Sequence, residues 1–386
     1  MVSKSQSFFD KIVSTDNLIK ANRKALAGKR KNITATNFNY NLITNILILQ
    51  KELVNNNYKP RPYRNKVIHE PKTRDIEAPN FRDRVVQHAI HAILSPFYEN
   101  YFIPDSYACR PKRGTHSATR RVQHFIRNQT RQLYVCSIDI SKFYASINHS
   151  KLKEILAHKI KDERLTSLLS IIIDSKDSGN KYDELFGPDS HFHTKGRRGI
   201  PIGNLTSQLF ANIFLHEIDM YAKQQLKIRK YIRYMDDILF FTTDKKELVI
   251  WKTKIINFLY DELYLTVNPR KVRIYPAKVG VSFVGFIIHP YYMRLRSSSV
   301  RRFKKHYRRQ LKKMLNNKIG VKTVQMSFNA WVAHAKHAKS QALIKNLYSW
   351  QDDYLFIKEV RSIYKNDHKH NKNIQLALFD DSLFLE

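Results

Sequence analysis

The sequence predicts an α+β protein with an antiparallel sheet and a basic helical region near its C-terminal end. Three observations carry that prediction. Apolar residues recur at helical spacing in several stretches, among them Leu42, Ile43, Ile46, Leu47, Leu49 and Leu53. Tyr134–Ile140 (YVCSIDI) is β-branched and aromatic, the pattern of a buried strand, and it carries an acid near its end. Lys230–Tyr234 and Ile238–Thr242 flank Met235-Asp236-Asp237, which reads as a tight hairpin turn.

From the N-terminus, residues 1–60 read as mostly helix and stop at Asn55-Asn56-Asn57. Pro60, Pro62 and Pro71 punctuate an extended region with a candidate strand at Asn65–Glu70. Arg82–Leu94 is again helical, with Val85, Val86, Ala89, Ile90 and Ile93 on one side. Leu152–Ser175 is predicted as helix, Tyr182–Gly199 as a polar loop and Asn204–Gln225 as a long helix. Val249–Asp261 follows as helix and Phe283–Ile288 as strand. From Arg294 to Lys322 there are twelve Lys or Arg and no acid. Arg301, Arg302, Lys305, Arg308, Arg309, Lys312 and Lys313 fall at helical spacing. The plain alternative is a solvated helix face. With no interleaved acid such a face repels itself unless something anionic lies on it, which favours binding to a phosphate backbone.

Charge narrows the function. The 386 residues carry 68 Lys+Arg against 33 Asp+Glu, a net charge of +35. That excess implies a polyanionic partner, nucleic acid or an anionic membrane surface, rather than an ordinary metabolic substrate. With 42% hydrophobic and 12% aromatic residues the chain can bury a sizeable core, which excludes disorder as its main state. Cys109 and Cys136 are the only cysteines, so a disulfide scaffold is excluded and a structural zinc site would have to be His-rich. The start MVSKSQSFFDKIVS lacks the apolar core of a signal peptide, and no apolar run is long enough to cross a bilayer. The expectation is a cytoplasmic protein with no membrane partner.

Two short segments carry the chemistry. Asp139 closes a buried strand in IDISKFYASI, and Asp236-Asp237 sits between two apolar strands. By itself Asp-Asp is simply a good turn. Flanked by Tyr231, Ile232, Tyr234, Ile238, Leu239, Phe240 and Phe241, it is an odd place for unpaired acids. Three acids brought together need cations. Hard oxygen ligands suit Mg²⁺, and two such ions about 4 Å apart stabilise the attacking and leaving oxygens of a phosphoryl transfer. Glycine is scarce, ten in the chain, yet Gly196, Gly199 and Gly203 fall within eight residues just before the Asn204–Gln225 segment. Glycine admits close approach to a ligand, and helix N-termini favour anions.

These segments, in order, resemble the motifs of reverse transcriptases. Asp139 in DISKFYASI is similar to motif A, Gly199–Gln208 (GIPIGNLTSQ) to motif B and Tyr234–Asp237 (YMDD) to motif C. Asn268 and Lys271 in LTVNPRKV resemble motif D, and Phe283–Phe286 (FVGF) the primer grip. Upstream, PKTRDI (71–76), FRDRVVQH (81–88) and SYACRPKRGT (106–115) resemble the fingers motifs. The series covers about residues 40–345. Within the family the chain is most similar to reverse transcriptases of diversity-generating retroelements. Group II intron enzymes usually have Gln where this chain has Ile202, and Ser327–Ala338 (SFNAWVAHAKHA) resembles the retroelement thumb.

The resemblance implies a right-hand polymerase fold: an N-terminal helical extension at 1–60, fingers at 61–130, palm at 131–292, thumb at 293–350 and a tail at 351–386. It implies RNA-directed DNA synthesis from dNTPs, error-prone opposite template adenine, with an RNA template, a DNA product and a small basic accessory protein as partners. Asp139, Asp236 and Asp237 would hold the Mg²⁺ ions, with the Ile140 carbonyl beside them. Lys72 and Arg74 would meet the triphosphate. Tyr144 would be the steric gate against a ribose 2′-OH, with core packing as its plain alternative. Ile202 and Gly203 would lie under the nascent base pair, and Lys271 would act near the pyrophosphate or be simply structural. Arg301, Arg302, Lys305, Arg308, Arg309 and Lys312 would contact nucleic acid. His334 and His337 read as core or backbone contacts rather than metal ligands. With 36 residues after 350, the expectation is that no RNase H or endonuclease domain follows the thumb. They include Gln375, Leu376, Leu378 and Phe379, which resemble the bacterial sliding-clamp-binding pattern. Two other functions fit the same motifs: a phage-defence reverse transcriptase using a dedicated RNA or protein priming, and an RNA-binding protein that has lost catalysis.

Overall fold

In the computed structural model, which describes residues 7–68, 74–176 and 196–350, short polar side chains start the N-terminal helices. Ser7 accepts from the Asp10 amide at α1 (Phe8–Val13), Ser14 from Asn17 at α2 (Thr15–Leu26), and Asn32 caps α3 (Ile33–Tyr40). In α4 (Leu42–Val54) Ile46, Leu49 and Leu53 are buried, whereas Ile43 is 56% and Leu47 49% exposed. Each residue turns the helix by about 100°, so Leu47 lies well round from Ile46 and misses the core.

β1 (Arg64–Ile68) pairs antiparallel with β2 (Arg74–Ala78). α5 (Phe81–Glu99), capped by Asn80, outruns the predicted helix and continues through Pro96. It buries Val85, Val86, Ala89, Ile90 and Leu94 in the main core. Next come β3 (Ser106–Tyr107), α6 (Thr115–Ile126), β4 (Tyr134–Asp139) and the short α7 (Phe143–Ser146). The predicted helix over 152–175 is two helices, α8 (His149–Lys159) and α9 (Glu163–Asp174). Asp162 causes the break: its carboxylate accepts from the amides of Leu165 and of distant Phe9. α10 (Leu205–Met220) ends in a π-helical turn, Tyr221–Gln225. β5 (Lys230–Tyr234), β6 (Asp237–Thr242), α11 (Lys245–Asp261), β7 (Arg273–Pro276) and β8 (Val281–Phe283) follow.

The central sheet has the order β3-β5-β6-β4-β7. It is antiparallel as expected except at one edge, where β3 runs parallel to β5. The fold is α+β. Contacts divide the chain into two units, Met1–Val284 and Gly285–Glu386.

The predicted strand at 283–288 is interrupted. Val284 (φ 38°) and Gly285 (φ 92°) form a turn between β8 and β9 (Phe286–Ile288). In the second unit β9 pairs with β10 (Met293–Leu295). α12 (Ser297–Leu315), α13 (Val321–Ala335) and a helix over 341–350 then pack around Tyr307, Leu311, Met314, Phe328, Val332 and Leu347.

Candidate active site

Strand register brings two of the predicted acids face to face. Asp139, the last residue of β4, is the cross-strand partner of Asp237, the first of β6. Directly opposed residues project to one face of a sheet with Cβ atoms about 4.5–5.5 Å apart. Tyr234 opposes Asp237 across the hairpin, so Met235 and Asp236 form its two-residue tip. Met235 takes φ 51°, the left-handed conformation that a two-residue hairpin demands. The Asp236 carbonyl accepts from the Ile140 amide at 3.3 Å, joining the tip to the chain just beyond Asp139. The Asp139 carbonyl accepts from the Asn268 amide at 2.9 Å. Two adjoining strand ends and a neighbouring loop thus fix the backbones of all three acids.

Lys271 stands on this cluster. Its Nζ donates to Asp139 Oδ2 at 2.6 Å, forming an ion pair. Asn268 sets that turn, since its side chain accepts from the Arg270 amide. Among the described residues no three His, Cys, Asp or Glu side chains converge into a finished metal cage. The donors are nonetheless of the right kind. Facing hard oxygens at Asp139 and Asp237, a third carboxylate on the adjacent tip, and a cation already seated at one of them fit a hard divalent ion.

The glycine segment is bonded to the chain that follows Asp139. The Ile200 amide donates to the Tyr144 carbonyl at 2.9 Å, and the Gly199 amide to the Ile147 carbonyl at 2.8 Å. Tyr144 is half-buried and packs its ring on Phe143. The Glu77 amide donates to the Ile202 carbonyl at 2.9 Å, tying the segment to β2. At Gly203, with φ +132°, an added Cβ would lie 2.8 Å from the Glu77 carbonyl oxygen, so only glycine fits. Asn204 does not cap α10; its side chain donates to Tyr63 Oη, and Gln87 accepts from the Leu205 amide instead.

Two groups escaped the sequence analysis. Arg233, between Ile232 and Tyr234, is fully buried against fully buried Asp219 and reaches the Met235 carbonyl. Burial disfavours its charge, but Asp219 outweighs burial and raises its pKa. The visible signal was an arginine set between the apolar residues Ile232 and Tyr234. His149 lies between the Gly199 carbonyl (Nε2, 2.8 Å) and Asp174 (Nδ1, 3.1 Å), holding the glycine segment to α8 and α9.

Arg74 begins β2 opposite Ile68, while Lys72 lies outside the described residues. Arg301, Arg302, Lys305, Arg308, Arg309 and Lys312 share the exposed side of α12, and Trp350 lies under the Arg308 guanidinium at 4.5 Å. His334 packs on Phe286 and its pKa is lowered by burial and by His337. Gln375, Leu376, Leu378 and Phe379 lie outside the described residues, as does 182–195 of the predicted polar loop. No described helix is long and apolar enough to cross a membrane.

The family described as "Reverse transcriptase (RNA-dependent DNA polymerase)" matches residues 59–288, more than half of the chain. Protein YkfC of Escherichia coli is 28% identical over 280 residues, covering 63% of this chain and 71% of YkfC. The group II intron-encoded protein LtrA of Lactococcus lactis is 23% identical over 320 residues, covering 66% of this chain and 51% of LtrA. The chain therefore spans about half the length of that relative. Among solved structures, apo telomerase from Candida tropicalis aligns with a TM-score of 0.45 at 14% identity, over 77% of this chain and 62% of that one.

Proposed function

Because the chain belongs to the reverse transcriptase (RNA-dependent DNA polymerase) family, we propose that it copies an RNA template into DNA from dNTPs. The observation that carries this reading is the register of Asp139 against Asp237, with Asp236 on the adjoining tip. In this proposal the three carboxylates hold two Mg²⁺ ions, beside the Ile140 carbonyl. When bound, such ions activate a primer 3′-OH and neutralise charge on the leaving pyrophosphate. Lys271 keeps Asp139 paired with a positive charge and, in this reading, acts near the pyrophosphate. The Tyr144 ring, packed on Phe143 with its backbone held by the Ile200 amide, excludes a ribose 2′-OH. Lys72 and Arg74 neutralise the triphosphate, Arg through a forked contact and Lys as a point charge. Ile202 and Gly203 support the nascent base pair, and the α12 basic face holds the phosphate backbone. Fingers, palm and thumb occupy 61–130, 131–292 and 293–350.

We place the chain among diversity-generating retroelement enzymes. Ile202 in place of the Gln usual in group II intron enzymes supports this, since an aliphatic side chain removes a hydrogen-bonding partner near the incoming dNTP. The proposed partners are the template RNA, a small basic accessory protein and, through Gln375–Phe379, a sliding clamp, all in the cytoplasm. Primer extension on a defined RNA with Mg²⁺ and dNTPs, followed by sequencing of the cDNA, tests this. Errors concentrated opposite adenine are expected. Accurate synthesis would overturn the retroelement assignment, and a pull-down in which Leu378→Ala/Phe379→Ala is retained like the parent would end the clamp idea.

A further inference from the structure

The buried pair behind the hairpin tip asks for an explanation that stability does not supply. Arg233 and Asp219 are both 0% exposed. Taking a guanidinium and a carboxylate out of water is costly, and two apolar side chains of similar volume commonly serve a core as well or better. Something else must therefore require a charged, forked donor at this point.

The hydrogen bonds show what it is. Arg233 Nε and Nη2 donate to the two oxygens of Asp219, at 2.7 and 2.6 Å. Its Nη1 is shared between Asn212 Oδ1 and the Met235 carbonyl, each at 3.2 Å. Asp219 also accepts from Tyr231 Oη at 2.8 Å, and Asn212 donates to the Ala108 carbonyl at 3.1 Å. α10 supplies both Asp219 and Asn212, so the helix that follows the glycine segment fixes the guanidinium plane. Met235 occupies a left-handed conformation that a non-glycine residue adopts only at a cost. Both of its backbone groups are held, the amide by the Tyr107 carbonyl at 3.3 Å and the carbonyl by Arg233. The negative charge of neighbouring Asp236 also bears on the guanidinium.

We propose that Arg233 is the positioning residue of the acidic tip: it pins the Met235 carbonyl, sets a positive charge behind Asp236, and is itself aimed by Asp219 and Asn212. This rests on the metal-binding role proposed above for Asp139, Asp236 and Asp237. A lysine would keep the charge but lose the planar fork that binds Asp219 and the Met235 carbonyl together. An apolar pair would keep the packing and lose both.

The test is Mn²⁺ binding to the full chain, read by electron paramagnetic resonance of the free ion, beside thermal melting. The variants are Arg233→Lys, Arg233→Met/Asp219→Leu and, as site control, Asp236→Asn/Asp237→Asn. The parent should bind Mn²⁺ in a way that the Asn control abolishes. Both Arg233 variants should bind at least about tenfold more weakly, the scale of one missing charge-assisted hydrogen bond. The apolar pair strips Tyr231 Oη and Asn212 Oδ1 of these partners, so it should melt below the parent and is compared with it at a temperature where both are folded. Parent-like Mn²⁺ affinity in the apolar pair would show that Arg233 is structural only and overturn the proposal. If the apolar pair folds poorly, Arg233→Lys, measured below its melting temperature, decides in the same way. If the parent and the Asn control bind alike, the metal-binding role itself falls, and this proposal with it.

Discussion

Replacing Gly203 by alanine probes the close approach of the glycine segment to β2. The new Cβ would meet the Glu77 carbonyl oxygen at 2.8 Å and Ile76 Cγ2 at 3.4 Å. The oxygen belongs to backbone that cannot swing aside, because β2 pairs with β1 and the Glu77 amide is bonded to the Ile202 carbonyl. An L-residue at φ +132° adds strain of about 1–3 kcal/mol. Overpacking adds about 1–3 kcal/mol. If the segment instead backs away, the Glu77–Ile202 hydrogen bond breaks, at about 1 kcal/mol net. Either way Gly203→Ala loses at least about 2 kcal/mol, and melting falls by roughly 2–4 °C per kcal/mol or less in a unit of this size. Because the segment also bonds Tyr144, KM for dNTP should rise as well. Gly320→Ala is the control: nothing lies within 4 Å of its Cβ and its φ is −77°, so the change stays within about 1 kcal/mol. Circular dichroism melts and steady-state extension report both quantities. Parent-like melting and KM in Gly203→Ala would refute the close approach.

Neutralising Arg301, Arg302, Lys305 and Arg308 to Gln should change stability by no more than about 1 kcal/mol, since all four are exposed and only the Arg308 contact with Trp350 is lost from the ring contacts. RNA affinity should fall across sequences, and the salt slope should flatten by about 0.7 for each phosphate no longer neutralised; an unchanged slope would remove α12 from the interface. Burial, opposed only weakly by Lys252, pushes the Cys136 thiol up to about 12. Alkylation at pH 8 should therefore reach Cys136 only on unfolding, and native labelling would contradict its placement in the core. Burial disfavours the Asp174 carboxylate, but Lys153 and His149 outweigh it and hold its pKa below the usual value. A carboxylate depressed in the fold adds stability above its unfolded pKa and loses it as pH falls through the folded one. Stability should thus drop below about pH 4, where unfolded Asp titrates. Asp174→Asn should flatten that limb; an identical acid profile would refute the clamp on His149.

Local patterns made much of this fold readable. Tyr134–Ile140 and the two arms around Met235-Asp236-Asp237 are strands because short β-branched and aromatic runs sit next to turn residues, all within a few positions. Long-range geometry was not readable. The facing of Asp139 and Asp237 is a matter of register, and the Lys271–Asp139 ion pair joins residues 132 apart. Asp219 and Asn212 lie 14 and 21 residues from Arg233, so a lone arginine in KYIRYMDD gave no hint of its partners. The apolar spacing of Leu152–Ser175 hid the break that Asp162 imposes through Phe9, a residue 153 positions away. The β3–β5 pairing rests on two residues and has no periodicity to detect.

The most direct test of the central claim is primer extension on a defined RNA template with Mg²⁺ and dNTPs, comparing the parent with Asp139→Asn and Asp237→Asn at matched RNA occupancy. The facing register of these two acids predicts extension by the parent and its loss in both variants, with RNA binding and melting retained. Extension that survives either substitution would contradict the account.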